Sequence, residues 1–507
     1  MPQRTDPHAL LNDLRELREA VFEEGQATFA RWRPRIQRRD FLISALNLAY
    51  YLALRRRDLR PLQAELMPWG LSSLGRIEAR VMPNLDAVIA TLGALCGDEL
   101  PHPRLSLFAR GERLLTRHTE AVFGAQTPDR RVRIMVTMPS EAAHDYLLVR
   151  DLLARGMNCI RINCAHDNPD AWGAMIANLR RAEAETGKGC KVAMDLGGPK
   201  TRTETVLAPK GERLKVGNRL LLRRDDPRHD SDFPFQASCT IDEIFQQVGV
   251  GAQVWMDDGK MGARVESVDA RGLVLVVTHT KHQGVKLQPY KGLNFPDTEL
   301  KLAALTSKDI EDLDFIAHNA DIVHYSFVQD AHDMMRLQDE LARRLENPQR
   351  IAIVAKIETQ RAVNNLPELI VQAAGRQPLS VMIARGDLAV EIGYQRLAEM
   401  QEQILWLCEA AHVPVIWATQ VLEQLVKKGT PSRAEMTDAA MAERAECVML
   451  NKGPYIREAV TILDDVLTRM QAHQLKKTAQ LRALRSWSAA PIPLHISAAT
   501  SDDGLRI

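Results

Sequence analysis

From Arg131 onward the chain alternates short, almost uninterrupted apolar runs with longer stretches in which apolar residues recur every three or four positions. The first pattern reads as a parallel strand buried on both faces and the second as a helix covering it. Eight such runs are predicted as strands: Val132 to Thr137, Cys159 to Asn163, Val192 to Asp195, Ile322 to Phe327, Ile351 to Lys356, Val381 to Ala384, Val415 to Ala418 and Cys447 to Asn451. The third interval is interrupted by a segment at about 205–289 rich in Gly, Thr and Val with β-like alternation, as in Arg219 to Arg224 and Leu273 to Thr278. Without it, about 260 residues of strand and helix remain, close to the roughly 250 of an eight-stranded barrel. Before Arg131 the pattern is helical. Asp6-Pro7 offers a cap and a first-turn proline, and Leu10, Leu11, Leu14, Leu17, Val21 and Phe22 fall on one face. The predicted fold is α/β: a (β/α)8 TIM barrel with an inserted small β-domain and an N-terminal α-helical region. The expected divisions are a helical extension over 1–128, a barrel over 129–204 and 290–475, an inserted lid over 205–289 and a polar tail over 476–507.

Composition narrows the function classes. At 507 residues and 45% hydrophobic content, the chain is long enough for several domains. Lys plus Arg (66) nearly balance Asp plus Glu (65), so no overall field favours nucleic acid or anionic membrane, and anion binding must be local. Arg38, Arg39, Arg55, Arg56, Arg57 and Arg60 could form a nucleic-acid arm, but they lack aromatic interleaving and any reader motif, and a solvated face or domain contact is the simpler account. Seven cysteines without a C-x-x-C pair suit a reducing compartment. The apolar stretch Phe41 to Leu54 contains Ser44 and Asn47 and falls short of the ~20 residues that span a bilayer. The N-terminus shows no signal-peptide pattern, so a cytoplasmic protein is expected. No Walker-type loop occurs, and Gly249-Val250-Gly251 lacks the third glycine of a dinucleotide fingerprint.

The chemistry sits at predicted strand ends. Lys356 and Glu358 close one apolar run, and Arg385-Gly386-Asp387 closes the next. Catalytic groups gather at the C-terminal ends of barrel strands, and an ammonium beside two carboxylates suits a divalent ion with a phosphoryl or enolate oxygen. A structural ion pair at the barrel mouth is the alternative.

The ordered segments Gly156 to His166, Met194 to Thr203, Asp257-Asp258-Gly259, Lys291 to Pro296, Ala355 to Glu358, Ala384 to Asp387, Ala418-Thr419-Gln420 and Ser432 to Glu435 together resemble the pyruvate kinase family over about Arg131 to Met470. That resemblance implies phosphoryl transfer from phosphoenolpyruvate to ADP, giving pyruvate and ATP. It implies Mg²⁺ or Mn²⁺ on Glu358 and Asp387, Lys356 beside the transferring group, and Arg161 with Arg202 on the phosphoryl oxygens. It also implies backbone N–H groups around Arg385, Gly386 and Asp387 for the substrate carboxylate, and Thr419 on the proton path. Asn163 and His166 would lie on the nucleotide or ion side, with Asp258 and Lys291 reaching down from the lid. A homo-oligomer is expected, with no nucleic-acid or membrane partner.

Departures from the family pattern change the expectation. Ala165 and Leu196 stand where K⁺-dependent members carry a serine and a threonine, and Lys200 stands where they carry a glutamate. A lysine ammonium there, near Asn163 and with a partner such as Asp195, would replace the monovalent cation, so K⁺-independent activity is expected. Gly197 replaces a usual lysine, and Leu450-Asn451-Lys452-Gly453-Pro454 replaces a Ser-Gly-Glu-Thr segment. No counterpart of the family's C-terminal regulatory domain is read after Met470. A non-catalytic phosphoenolpyruvate or nucleotide sensor and a Mg²⁺-dependent lyase or aldolase acting on a pyruvate enolate are the competing readings.

Overall fold

The computed structural model describes residues 6–71 and 73–479. Eight parallel strands close into a barrel in sequential order: β1 (Arg133–Thr137), β2 (Cys159–Asn163), β3 (Lys191–Asp195), β4 (Ile322–Tyr325), β5 (Ala352–Ile357), β6 (Leu379–Ala384), β7 (Val415–Ala418) and β8 (Cys447–Leu450). Every expected run contributes one strand, because side chains alternate between the barrel interior and the helical shell and both are apolar. Strand β4 ends two residues before the apolar run does, since Phe327 turns with φ +54°.

Between β3 and β4 lies a seven-stranded sheet with its own core, including Leu220, Leu222, Val254, Leu273 and Leu275. It extends a few residues beyond 205–289 because Thr203–Leu207 and Leu293–Asn294 pair into its edges.

The N-terminal region is helical and docked. Helix α1 (Pro7–Trp32) starts at Asp6, whose side chain accepts a hydrogen bond from His8 N at 3.0 Å, with Pro7 in the first turn. It buries Leu10, Leu11, Leu14, Leu17 and Val21 against α2 (Leu42–Arg55) and α3 (Val81–Leu95), whereas Phe22 stays 36% exposed. Helix α4 (Arg110–Phe123) ends under the barrel, where Val122 and Phe123 join the interior cluster of Met135, Cys159, Ile322, Val354 and Cys447. The extension therefore plugs the barrel floor.

The polar residues of the apolar α2 make the joint. Asn47 donates to Glu78 O (2.7 Å) and Ala410 O (2.8 Å) and accepts from Val81 N (2.9 Å), all in the interior. Ser44 meets His412 Nδ1 at 2.9 Å, and His412 Nε2 lies 2.9 Å from Ala79 O. Most of the arginines read as a possible nucleic-acid arm make contacts within the chain at its surface: Arg38 with Asp40 and Gln377 O, Arg55 with Tyr51, and Arg56 and Arg57 with Glu24. After Met470 the chain is not simply a polar tail. Gln474–Leu475 and Thr478–Ala479 form a hairpin whose Lys476 pairs with Glu446 and whose Lys477 pairs with Glu78. The rest of the expected tail, 480–507, lies outside the described residues.

Asn47→Ala should destabilise the protein by about 2–4 kcal/mol, since it strands three buried backbone groups, and a lowered urea midpoint at unchanged m would show it. Burial pushes the Glu409 carboxyl, on the floor side, from 4.5 up to about 7. A folded pKa above the unfolded one favours the native state at low pH, and that contribution is lost as pH rises through 7. Glu409→Gln should accordingly raise Tm at pH 8, on the order of 2 °C, and give no gain at pH 5.

Candidate active site

At the C-terminal end of the barrel a cavity of about 180 Å³ gathers Arg161 and Asn163 from β2, Asp195 from β3, Lys200 and Arg202 from the lid hinge, Lys356 and Glu358 from the end of β5, Asp387 after β6 and Thr419 after β7. Its centre is Asp195, 1% exposed. Arg161 Nε donates to Asp195 Oδ2 at 2.8 Å, and its Nη1 donates to Thr137 Oγ1 at 2.9 Å. Lys356 Nζ donates to Ser326 Oγ at 2.7 Å and lies 3.4 Å from Asp195 and 3.2 Å from Glu358. Burial alone would raise the Asp195 pKa, but Arg161 and Lys356 outweigh it and hold the carboxyl well below the usual range. Burial opposes the Lys356 charge, yet Asp195 and Glu358 keep its pKa above the ordinary lysine value.

Glu358 accepts from Phe327 N at 2.7 Å. Burial raises its pKa; Lys356 pulls it down and the nearby Asp387 pushes it up again. Asp387 lies in the first turn of α5 (Arg385–Ile392) and pairs with Lys200 at 2.7 Å. This corrects the expected partner of Lys200: Asp195 is already engaged by Arg161 and Lys356, and the lysine reaches across the mouth to Asp387. Lys200 also stands 6.0 Å from the centre of the Phe327 ring. The Arg202 guanidinium lines the cavity without an ion pair among the described residues.

Not every expected residue presents its side chain here. The Arg385 guanidinium turns away, donating to Ala418 O (2.9 Å) and to Asp438 (2.8 Å) over the Trp417 ring. What its segment offers the site is backbone: Gly386 N–H donates to Thr419 Oγ1 at 2.9 Å. Thr419 has φ +62°, a strained conformation for a β-branched residue. His166, Asp258 and Lys291 lie outside the cavity lining. Burial, Lys452 and the two site arginines lower the His166 pKa. Lys291 stands 3.3 Å from Asp257, and the Asp258 carbonyl accepts from Tyr394 Oη at 3.3 Å, bringing this turn of the inserted sheet onto the barrel. Sequence reasoning missed Ser326, Thr137 and Asp438. Ser326 and Thr137 stand at strand ends, the one signal that could have found them.

Among the described residues no three His, Cys, Asp or Glu side chains form a closed metal cluster. Glu358 and Asp387 instead supply two hard oxygen donors on one wall, which fits Mg²⁺ or Mn²⁺, ions that keep positions for substrate oxygens and water. The arrangement can hold an anion against three cations while two carboxylates face the same space.

Residues 129–460 match the family model described as pyruvate kinase, barrel domain. A pyruvate kinase of Agrobacterium vitis is 34% identical over 356 residues, covering 68% of this chain and 69% of that one. One from Candida albicans is 31% identical over 342 residues, 66% of each. The rat protein named pyruvate kinase PKLR is 30% identical over 359 residues, 68% of this chain and 60% of its own length. This chain thus spans less than two thirds of the length of the rat and Candida relatives. The matched region carries the whole barrel and its inserted sheet, and by sequence and architecture together the chain belongs to the pyruvate kinase family.

Proposed function

We propose that the protein transfers the phosphoryl group of phosphoenolpyruvate to ADP, giving pyruvate and ATP. The observation that carries this reading is the convergence of Lys356, Arg161 and Arg202 on the same cavity as Glu358 and Asp387. Three fixed cations suit a group whose negative charge spreads over equatorial oxygens during transfer. Arg161, already oriented by Asp195 and Thr137, and Arg202 hold the phosphoryl oxygens by charge-assisted hydrogen bonds. Lys356, clamped by Ser326 and two carboxylates, remains protonated and offsets charge as the bond from phosphorus to the enol oxygen breaks and one to the ADP β-phosphate oxygen forms. Glu358 and Asp387 would hold a divalent ion, which when bound would supply positive charge beside the substrate oxygens. The Gly386 N–H positions the Thr419 hydroxyl, which lies on the route by which a proton reaches the enolate carbon, and the backbone of the turn Arg385-Gly386-Asp387 takes the substrate carboxylate. Asn163 and His166 serve the nucleotide side, and closure of the lid bearing Asp258 and Lys291 keeps water from the phosphoryl group.

Activity independent of K⁺ follows from Lys200. It brings a fixed ammonium to the mouth, 2.7 Å from Asp387, where Ala165 and Leu196 offer no side-chain oxygen. The same ion pair favours one competing reading. With Asp387 held by Lys200, a chain that keeps this pair would bind phosphoenolpyruvate or nucleotide without turnover, as a sensor does.

In an assay of pyruvate formation from phosphoenolpyruvate, ADP and Mg²⁺, Lys356→Met should lower kcat on the order of a hundred- to a thousandfold. Turnover should be the same with Na⁺ or K⁺ as the salt, and Lys200→Glu should lose it or make it depend on K⁺. Binding without turnover in either salt would replace the kinase by the sensor.

A further inference from the structure

The turn that follows β7 is strained, and what restrains it lies outside the cavity. Thr419 has φ +62°, Gln420 φ +56° and Leu422 φ +46°, and none of them is a glycine. Such a backbone persists only where its surroundings impose it. Here one guanidinium does so. Arg385 Nε donates to Ala418 O at 2.9 Å and its Nη2 donates to Thr419 O at 2.5 Å, so the two peptide carbonyls that flank the Thr419 side chain are held together.

Arg385 is fixed in its turn. Its Nη2 donates to Asp438 Oδ2 at 2.8 Å and its Nη1 to Asp438 Oδ1, a bidentate pairing that sets the plane of the guanidinium over the Trp417 ring. The Trp417 indole N–H donates to Asp438 Oδ1 at 3.3 Å. Asp438 belongs to α6 (Arg433–Met441), whose first turn is closed by a reciprocal cap between Ser432 and Glu435. Glu435 also accepts from Gln424 N, just beyond the strained turn, so α6 holds this segment at two points.

On the cavity side, Gly386 N–H donates to Thr419 Oγ1, which leaves the hydroxyl hydrogen for the space that Thr419 lines. The backbone of Arg385 is carried by β6 before it and α5 after it. The residues after Ala418 have left the strand ladder and depend on side-chain contacts instead. Loss of the guanidinium clamp therefore moves Thr419 before it moves Gly386 or Asp387. Asp438, Arg385 and Trp417 do not line the cavity, so their influence on chemistry passes through this turn.

We propose that Asp438, acting through Arg385, is a positioning residue for the Thr419 hydroxyl and serves the proton-transfer half of the reaction. The inference rests on the kinase reading above. In that half a C–H bond forms at the terminal carbon of the enolate, its electron pair coming from the carbon–carbon double bond while the enolate oxygen closes to a carbonyl. The proton arrives along the Thr419 route. Misplacing such a group by about 1 Å costs on the order of a hundredfold in rate. Phosphoryl transfer depends on Arg161, Lys356 and Arg202, whose contacts among the described residues include neither Asp438 nor Arg385.

The test reads the two halves separately in the full chain with Mg²⁺. One rate is ATP formed in a single turnover from phosphoenolpyruvate and ADP with enzyme in excess. The other is loss of pyruvate methyl protons to D₂O in the presence of ATP, followed by NMR. Asp438→Asn keeps the side chain's shape and removes its charge; it should slow methyl exchange about ten- to a hundredfold and change the single-turnover rate less than about threefold. Trp417→Phe keeps a ring under Arg385 and removes the N–H, and should shift the same ratio in the same direction by a smaller factor. If Asp438→Asn does not fold, Trp417→Phe decides alone. Equal loss of both rates, or exchange as fast as in the parent, would overturn the proposal and leave the kinase reading intact, as would a parent that forms ATP yet exchanges no methyl protons. A parent that forms no ATP would overturn both.

Discussion

The barrel mouth is organised around one buried carboxylate. An isolated anion in the position of Asp195 would be prohibitively costly, and what makes it tolerable is a full set of partners: Arg161 from β2, Lys356 from β5 and the Ser326 hydroxyl just after β4. Those partners are drawn from different strands, so satisfying Asp195 also sets the spacing of the strand ends around the cavity. Arg161 and Lys356 are thereby ordered before any ligand arrives. His324 lies in the same interior, and burial lowers its pKa to about 3. Left neutral, it does not compete with the arginine and lysine for Asp195, so the cationic charge stays on the side chains that line the cavity.

Much of this was legible in the sequence, because two simple rules apply. Parallel strands buried on both faces read as unbroken apolar runs, and chemistry collects where such runs end in charge, which is how Lys356, Glu358 and Asp387 stand out. The rules fail where direction matters. Arg385 and Asp387 are two residues apart at one strand-to-helix junction, yet the first points to Asp438 and the second into the mouth. Nothing in the local pattern distinguishes them. The partner of Lys200 was equally hidden, since it sits 187 residues away and only the curvature of the closed barrel brings it to 2.7 Å. The positive φ values at Phe327 and Thr419 were invisible for another reason: neither residue type signals a left-handed turn, and the surrounding packing imposes it.

The helical extension shows the limits of hydrophobic patterning from the other side. Periodicity announces an amphipathic α1, but Ser44 and Asn47 read only as interruptions in an apolar stretch. In the fold they are the contacts that join α2 to Glu78, Val81, Ala410 and His412. A polar side chain inside an apolar helix is informative because it must find partners, though the sequence does not say where they are. The same holds for the arginines, whose apparent cluster disperses into separate ion pairs and carbonyl contacts.

The two ends of the barrel resolve buried charge in opposite ways, and one strand spans both. At the mouth, Thr137 closes β1 and accepts from Arg161; at the floor, Arg133 opens β1 and reaches only backbone carbonyls. Three residues of regular strand, hydrogen-bonded on one side to β8 and on the other to β2, separate them. Close-packed interiors have little slack, so one strand sets the positions of Arg133 at the floor and Thr137 at the mouth together. The floor is therefore not merely a support for the catalytic end. The extension that plugs it ends at Gly124, whose carbonyl accepts from the Arg133 guanidinium at the start of the same strand whose far end holds Arg161.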